Sequence, residues 1–382
     1  MQTDALVEGM NALGYMVANF SQRELIDGYD SFADRRKKAH FEFVSANIVW
    51  QDTGEPLVAP STVRKVDLRP GAKAGAIRVG FIGLTQNNPA FLKEGPGGRR
   101  IVTVDPFVAA EKVLPPLAKK SDIVVALVSL GVDEARSLAK RVKGIDLVLG
   151  GSGGVGTRTD DFPEDTEFGR ARIFFINNQG KDLGEVRLFF NGQRAIASAQ
   201  RNIVGLSREW PEDPALQKLA EATKIAVNEY NRSQAAQVTP AAGPGAAPAA
   251  PGQGPSFTGS ERCGVCHAQE FAIWQRTGHA RAFATLEKAQ QDYNPKCVSC
   301  HSVGYGQTSG FVNAKATPLL VNVGCESCHG PSSLHPDQVA TGYGGSNTSF
   351  CVTCHTRENS PDFNPATYVP KVRHWSDARA GR

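Results

Sequence analysis

The sequence predicts an α/β domain followed by a mainly α, loop-rich domain, and three observations carry that prediction. Short apolar runs alternate with amphipathic stretches over residues 1–204. A stretch of almost nothing but Ala, Pro, Gly and Gln, residues 235–256, cannot bury a core and reads as a flexible linker. All eight cysteines then fall in the last third of the chain, in four copies of Cys-x-x-Cys-His. A chain of 382 residues has room for two such domains.

Buried-strand patterns appear first at Ile77–Gly83, Ile123–Val128 and Ile145–Leu149, with a helical stretch at Asp133–Val142 before the last. Arg172–Asn177 and Leu183–Phe190 flank Asn178-Gln179-Gly180 and read as a β-hairpin. Gly151-Ser-Gly-Gly-Val-Gly156 matches the dinucleotide fingerprint, but Thr157-Arg-Thr-Asp-Asp-Phe-Pro163 cannot open the required helix, so these glycines read as a loop. Within residues 205–234, Asp213–Tyr230 forms a connecting helix with Pro214 in its first turn.

Residues 257–382 hold only 21 Leu, Ile, Val and Phe among 126, under a fifth, too few to make a conventional core. The four motifs explain how such a chain folds. They are Cys263-Gly-Val-Cys266-His267, Cys297-Val-Ser-Cys300-His301, Cys325-Glu-Ser-Cys328-His329 and Cys351-Val-Thr-Cys354-His355. Each pairs two thiols, spaced to add across the vinyl groups of one porphyrin, with an imidazole placed as proximal iron ligand. Zinc or a redox dithiol would not explain a histidine after every pair and no cysteine left over. Four haem c groups would replace the missing apolar side chains and staple the loops, so the protein without haem should be largely unfolded in this region. Short helices are expected around Glu270–Leu286 and at the motifs, with few strands.

Counting histidines sharpens the reading. Of eight, four are proximal, leaving His40, His279, His335 and His374. The methionines are Met1, Met10 and Met16, far from the motifs, so His/Met coordination is not expected. Three histidines of the second domain are therefore the distal candidates, His279, His335 and His374, and one iron is left without a histidine partner. His335 follows His329 too closely to pass around a porphyrin edge and should serve a neighbouring haem. His40, after Arg35-Arg-Lys-Lys38, reads as a solvated helix residue.

Several linked stretches resemble a known family. They are Cys263–His267 with Trp274-Gln-Arg-Thr-Gly-His279-Ala-Arg-Ala, Cys297–Gly306, Gly310-Phe311, and Gly324–Pro331 with His335. Together they look like the tetrahaem cytochromes c of the cytochrome c-554 type, which accept electrons from hydroxylamine oxidoreductase in ammonia-oxidising bacteria. The resemblance implies that His301 carries a five-coordinate haem and that His279, His335 and His374 complete the others.

The first domain resembles another family. Leu6–Glu24, Ser45-Ala-Asn47, Val79–Leu84, Asp122–Gly131 and Ile145–Gly151 are similar to the nucleotidase branch of the calcineurin-like metallophosphatases, which implies an incomplete metallophosphatase-like sheet sandwich over residues 1–204. Such enzymes hold two metals on Asp, Asn and His side chains. Ala18-Asn19-Phe20-Ser21 stands where the family has Gly-Asn-His-Glu, Leu130 stands where a histidine follows the Leu-Val-Ser strand, and Gly150-Gly-Ser-Gly-Gly154 replaces Gly-Gly-His-x-His. Only Asn19 survives, so phosphatase activity is not expected, and docking or binding without hydrolysis takes its place.

Composition narrows the rest. A net charge of +4 with 21% charged residues has no basic run that would point to nucleic acid. No stretch approaches the roughly 18 apolar residues needed to span a bilayer, and the first residues lack a signal peptide. Covalent haem implies a periplasmic or otherwise extracytoplasmic protein, so a signal, and the phosphatase family's first strand, are expected before Met1. The expected function is electron transfer between a redox protein donor and acceptor through four haem c groups. The alternatives are reduction of a small molecule such as nitric oxide, nitrite or hydroxylamine at one open iron, and assembly of a larger complex through the first domain, which leaves room for an oligomer or a membrane-associated complex.

Overall fold

The computed structural model describes residues 2–68, 75–151, 166–168, 171–176, 180, 182–193, 195–207, 209–235, 254–335, 348–356 and 359–374. They form two compact units, Thr3–Gln217 and Lys218–Arg382.

The first unit runs α1 (Gln2–Ala12), β1 (Val17–Asn19), α2 (Tyr29–Lys38), β2 (Glu42–Val44), β3 (Ile48–Trp50), β4 (Ser61–Asp67), β5 (Ala76–Thr85), β6 (Lys93–Glu94), β7 (Arg100–Thr103), α3 (Pro106–Ala118), β8 (Ile123–Ser129), α4 (Val132–Arg141), β9 (Leu147–Gly151), β10 (Thr166–Phe168), β11 (Ala171–Ile176), β12 (Asp182–Phe190) and β13 (Ile196–Gly205). Its main sheet has the order β10-β11-β9-β8-β5-β4. The inner strands β11, β9, β8 and β5 are parallel, and β10 and β4 run antiparallel along the edges.

The inner strands read as continuous apolar runs because both faces are covered. Ile82, Leu84, Val124, Ala126, Val128 and Val148 point to one face, where Ala110, Leu114 and Leu117 of α3 and Ala135 and Leu138 of α4 pack on them. Ile77, Val79, Ile123, Val125 and Leu147 point to the other, against Val186, Leu188, Phe190, Ile196 and Ala199 of β12 and β13. Asp105 starts α3 by accepting from the backbone N–H groups of Phe107 and Val108, with Pro106 just inside the helix. A third cluster, of Phe20, Phe32, Phe41, Phe43, Ile48 and Ile101, gathers the short elements before β4 together with β7.

The predicted hairpin is corrected here. Leu183–Phe190 pairs antiparallel with Ile196–Gly205 across the Asn191–Ala195 turn, and residues 171–176 pair in parallel with β9. Asn178-Gln-Gly180 looked like a two-strand turn, but Ile173 and Phe175 belong to the helix-covered core. A local hairpin could not bury them on that face. His40 also differs from its reading, for it lies exposed in a bend just beyond α2, its N–H donating to Asn11 Oδ1 at 2.7 Å. The Gly151–Gly156 glycines fall, from Ser152 on, outside the described residues, as does most of the linker.

The predicted connecting helix is α5, Pro214–Ala235, started by Asp213, which accepts from the N–H groups of Ala215 and Leu216. The units divide within it, and from Lys218 it belongs to the second unit instead of standing as a separate connector. The reason is Asn228, only 1% exposed. Its Nδ2 donates to Asp292 Oδ1 at 2.9 Å and its Oδ1 accepts from Tyr293 N–H at 2.8 Å.

The rest of the second unit comprises α6 (Ser260–Cys266), α7 (Ala268–Gln275), α8 (Ala282–Lys288), α9 (Pro295–His301), α10 (Glu326–His329), α11 (Cys351–Cys354) and α12 (Pro365–Val372), with no strand among its described residues. The short helices expected around Glu270–Leu286 are α7 and α8, which are separated by a turn. There Trp274 Nε1 donates to Val323 O at 2.9 Å and Val323 N–H donates to His279 O at 3.2 Å, pinning the intervening turn to a distant loop. The apolar cluster of this unit is small: Phe257, Phe283, Leu286, Val298, Val303, Phe311 and Leu320.

Candidate haem-binding site

Each Cys-x-x-Cys-His motif occupies one short helical turn, which puts cysteines three residues apart on the same face. The histidine closes that turn. The N–H groups of His267, His329 and His355 donate to the carbonyls of Cys263, Cys325 and Cys351 at 2.8–3.0 Å. In α9 the turn is begun by Asn294, whose Oδ1 accepts from Lys296 N–H, with Pro295 at the first position.

The remaining histidines of the unit stand opposite motif histidines. His335 faces His267 with ring centres 6.3 Å apart and planes 21° from parallel. His279 faces His355 at 6.2 Å, and His374 faces His329 at 5.9 Å. Two metal–imidazole bonds of about 2 Å, with half a ring behind each nitrogen, span about 6 Å. The three pairs therefore have the separation that a shared iron requires, and since their partners lie 45 to 76 positions apart in sequence, only folding brings them together. His335 stands against His267 and not against His329, six residues before it.

His301 is placed differently. Its Nδ1 lies 2.7 Å from the carbonyl oxygen of Ala282 and 3.4 Å from Thr285 Oγ1. Donation from Nδ1 to that carbonyl directs Nε2 toward a metal. Among the described residues no histidine ring pairs with it at the distance seen in the other three motifs.

The surroundings suit haem. Burial first, and then the neighbouring His355 and His301, keep the pKa of His279 below its ordinary value, and burial does the same for His355, favouring the neutral form that ligates metal. Phe363 stacks on the His355 ring at 4.6 Å, with Tyr368 edge-on at 5.7 Å. Val265 and Val352, between the cysteines of the first and fourth motifs, are 81% and 54% exposed, apolar surface that a porphyrin would cover. The Cys263 thiol lies beside that of Cys325, and the Cys300 thiol beside that of Cys354. The first motif therefore adjoins the third, and the second adjoins the fourth.

Two groups in this unit escaped the sequence reading. Glu326, inside the third motif, is 4% exposed and accepts from the N–H groups of Thr258, Gly259 and Ser332. Its only signal was a charge where the other motifs carry Gly, Val, Ser or Thr. Asn228 gave none, since an asparagine on a polar helix is ordinary.

In the first unit the positions of the phosphatase motifs meet at the ends of β1, β5 and β8. Asn19 Nδ2 donates to Leu84 O at 3.0 Å and to Ser129 Oγ at 3.1 Å, while Asn19 Oδ1 is buried without a hydrogen-bond partner. Leu130 is buried in the helix-covered core. Asn47 Nδ2 donates to Thr85 O and Val104 O, so this amide is spent on joining loops. Among the described residues no three His, Cys, Asp or Glu side chains converge as a metal site requires. These residues do not fit a two-metal centre. Among the described residues no helix is long and apolar enough to cross a membrane.

Comparison with known proteins agrees with this division. Residues 262–330 match the family described as cytochrome c554 and c-prime. Cytochrome c-554 of Nitrosomonas europaea is 38% identical over 90 residues, covering 20% of this chain and 38% of that protein. The 5'-nucleotidase of Bos taurus is 23% identical over 244 residues, covering 59% of this chain and 41% of that protein. The calcineurin-like phosphoesterase YfkN from Bacillus subtilis superposes with a TM-score of 0.50 at 20% identity, over 60% of this chain and 75% of that one. The chain spans less than half the length of the curated relatives it matches. The second unit thus carries a cytochrome c554-type domain, a family that implies covalently bound haem c. The first has the calcineurin-like phosphoesterase fold.

Proposed function

We propose that this chain is an extracytoplasmic electron carrier holding four haem c groups, which passes electrons from one redox protein to another. The observation that carries the reading is the set of three histidine pairs at 5.9–6.3 Å. In it, Cys263, Cys266, Cys297, Cys300, Cys325, Cys328, Cys351 and Cys354 attach the groups. His267, His301, His329 and His355 are proximal ligands, and His335, His374 and His279 are the distal ligands opposite His267, His329 and His355. Haem c supplies an iron that gains and loses one electron. The protein's part is to hold its ligands fixed through that change. Ala282 O orients His301 and Val372 O, 2.9 Å from His374 Nδ1, orients His374. The adjoining thiols of the first and third motifs, and of the second and fourth, support close packing of the attached groups.

A second reading rests on His301, which among the described residues has no histidine ring opposite it. There the protein would bind and reduce a small molecule such as nitric oxide, nitrite or hydroxylamine. For the first unit, the Asn47 amide spent on Thr85 and Val104 and the buried Leu130 support a pseudo-phosphatase that docks or assembles and does not hydrolyse phosphate esters.

Low-temperature EPR of the oxidised protein, with intact mass to count covalent haems, tests these readings. Four haems with one high-spin and three low-spin signals are expected, and His374→Ala should convert one low-spin signal to high-spin. Fewer than four covalent haems would sink the carrier reading. Four low-spin signals would show His301 to be closed and would sink the second reading.

A further inference from the structure

Glu326 is the only charged residue between the cysteines of any of the four motifs, and it is almost fully buried. It accepts from the backbone N–H groups of Thr258 at 3.0 Å, Gly259 at 2.8 Å and Ser332 at 2.8 Å. The Ser332 hydroxyl adds a bond of 2.6 Å, and Thr258 Oγ1 lies 3.4 Å away, itself 2.7 Å from Ser332 Oγ. Among the described residues no Lys or Arg pairs with it. The backbone groups around it are all donors, which suits an acceptor-only carboxylate.

The donors come from two places. Thr258 and Gly259 lead directly into α6, which carries Cys263 and Cys266, and Ser332 follows the third motif. Ser260 extends the same junction, its Oγ accepting from Cys325 N–H at 3.0 Å. One buried carboxyl group therefore ties the first attachment turn to the third, while the second and fourth turns have no such group between their cysteines.

We infer that Glu326 is a positioning residue whose buried charge lowers the reduction potentials of the two haem groups attached in the first and third motifs. This rests on the four-haem reading above. Reduction brings one electron from an external protein donor into each group and neither forms nor breaks a bond. It adds one negative charge to the site, and a carboxylate held nearby in low dielectric opposes that charge. At an effective dielectric of about 20, a unit charge roughly 10 Å away changes a one-electron equilibrium about tenfold, or about 59 mV.

The experiment is a spectroelectrochemical titration of the full chain with its haems, for the unsubstituted protein, Glu326→Gln and Ser332→Ala, each first weighed to count haems. Glu326→Gln removes the charge and keeps the shape, and should raise two of the four potentials about tenfold in equilibrium constant, leaving the other two in place. Ser332→Ala keeps the charge but removes its shortest hydrogen bond, and should move the same two potentials slightly downward. Opposite signs from the two variants are what a merely structural role would not produce. Unmoved potentials, four potentials shifting together, or both variants shifting the same way would overturn the inference. If Glu326→Gln fails to load haem, the sign of the Ser332→Ala shift decides alone. An unsubstituted protein carrying fewer than four haems would instead fail the four-haem reading itself.

Discussion

In the first unit, twenty described apolar side chains are buried in one cluster between the main sheet and helices α3 and α4, and the opposite face of that sheet is covered as well. In the second, the described cluster has seven, and several apolar residues beside the attachment motifs stand in solvent. The same chain thus builds one interior largely from its own apolar side chains and another with few of them, beside apolar surface that a cofactor of large apolar area would cover. At the strand ends of the first unit Asn19 bridges Leu84 and Ser129 and Leu130 is buried, while the unit with little core holds the side chains suited to binding a cofactor.

The comparison breaks most directly if haem attachment is prevented. With all eight cysteines replaced by alanine, amide-exchange protection should be lost throughout residues 257–374 and kept in β5, β8 and β9. Retained protection in the second unit would mean that seven apolar residues suffice. A core truncation should act the other way. Leu138→Ala, at a fully buried site in α4, should cost about 3 kcal/mol in the unfolding transition of the first unit. The haem absorption transition should not move, and a shift in it would show that the two interiors are not independent.

Asn228→Ala tests where the boundary lies. Loss of its two bonds leaves the Asp292 carboxylate and the Tyr293 N–H without their partner and should cost about 2 kcal/mol. That loss should appear in the transition of the second unit. Its appearance in the first would return α5 to the role of connector.

The smallest effect is a surface ion pair of the first unit. Arg99 donates to both carboxylate oxygens of Asp52 at 2.8 Å, and this holds the Asp52 carboxyl below its ordinary value of 3.8. A lowered pKa means that the pair stabilises the fold above about pH 3.8 and that this contribution is lost as pH falls through the lower folded value. Asp52→Asn should therefore lower the melting temperature by about 1 °C near neutrality, the difference closing in acid. A difference that persists at pH 2 would assign it to something other than charge.

Legibility differed between the units for physical reasons. Strands β5, β8 and β9 and helix α4 were readable because buried parallel strands and an amphipathic helix repeat a local pattern. The pairing of residues 171–176 was not, since a turn-like Asn-Gln-Gly carries the same local signal whether the strands on either side meet each other or go elsewhere. The motif spacing announced eight thiols and four proximal histidines, because covalent attachment is local chemistry. The facing of His335 to His267 could not be read, since its geometry depends on how separate loops are brought together.

Composition and motif spacing by themselves therefore led to the expectation of two parts and of haem attachment in the second, and the family resemblance led to that of missing metal ligands in the first, because each is written in short stretches of chain. Tertiary structure alone decided which histidine faces which, that α5 from Lys218 belongs with the second unit, and that Glu326 joins two motifs from a buried position. Each of these depends on contacts between residues distant in sequence, where neither periodicity nor spacing carries information.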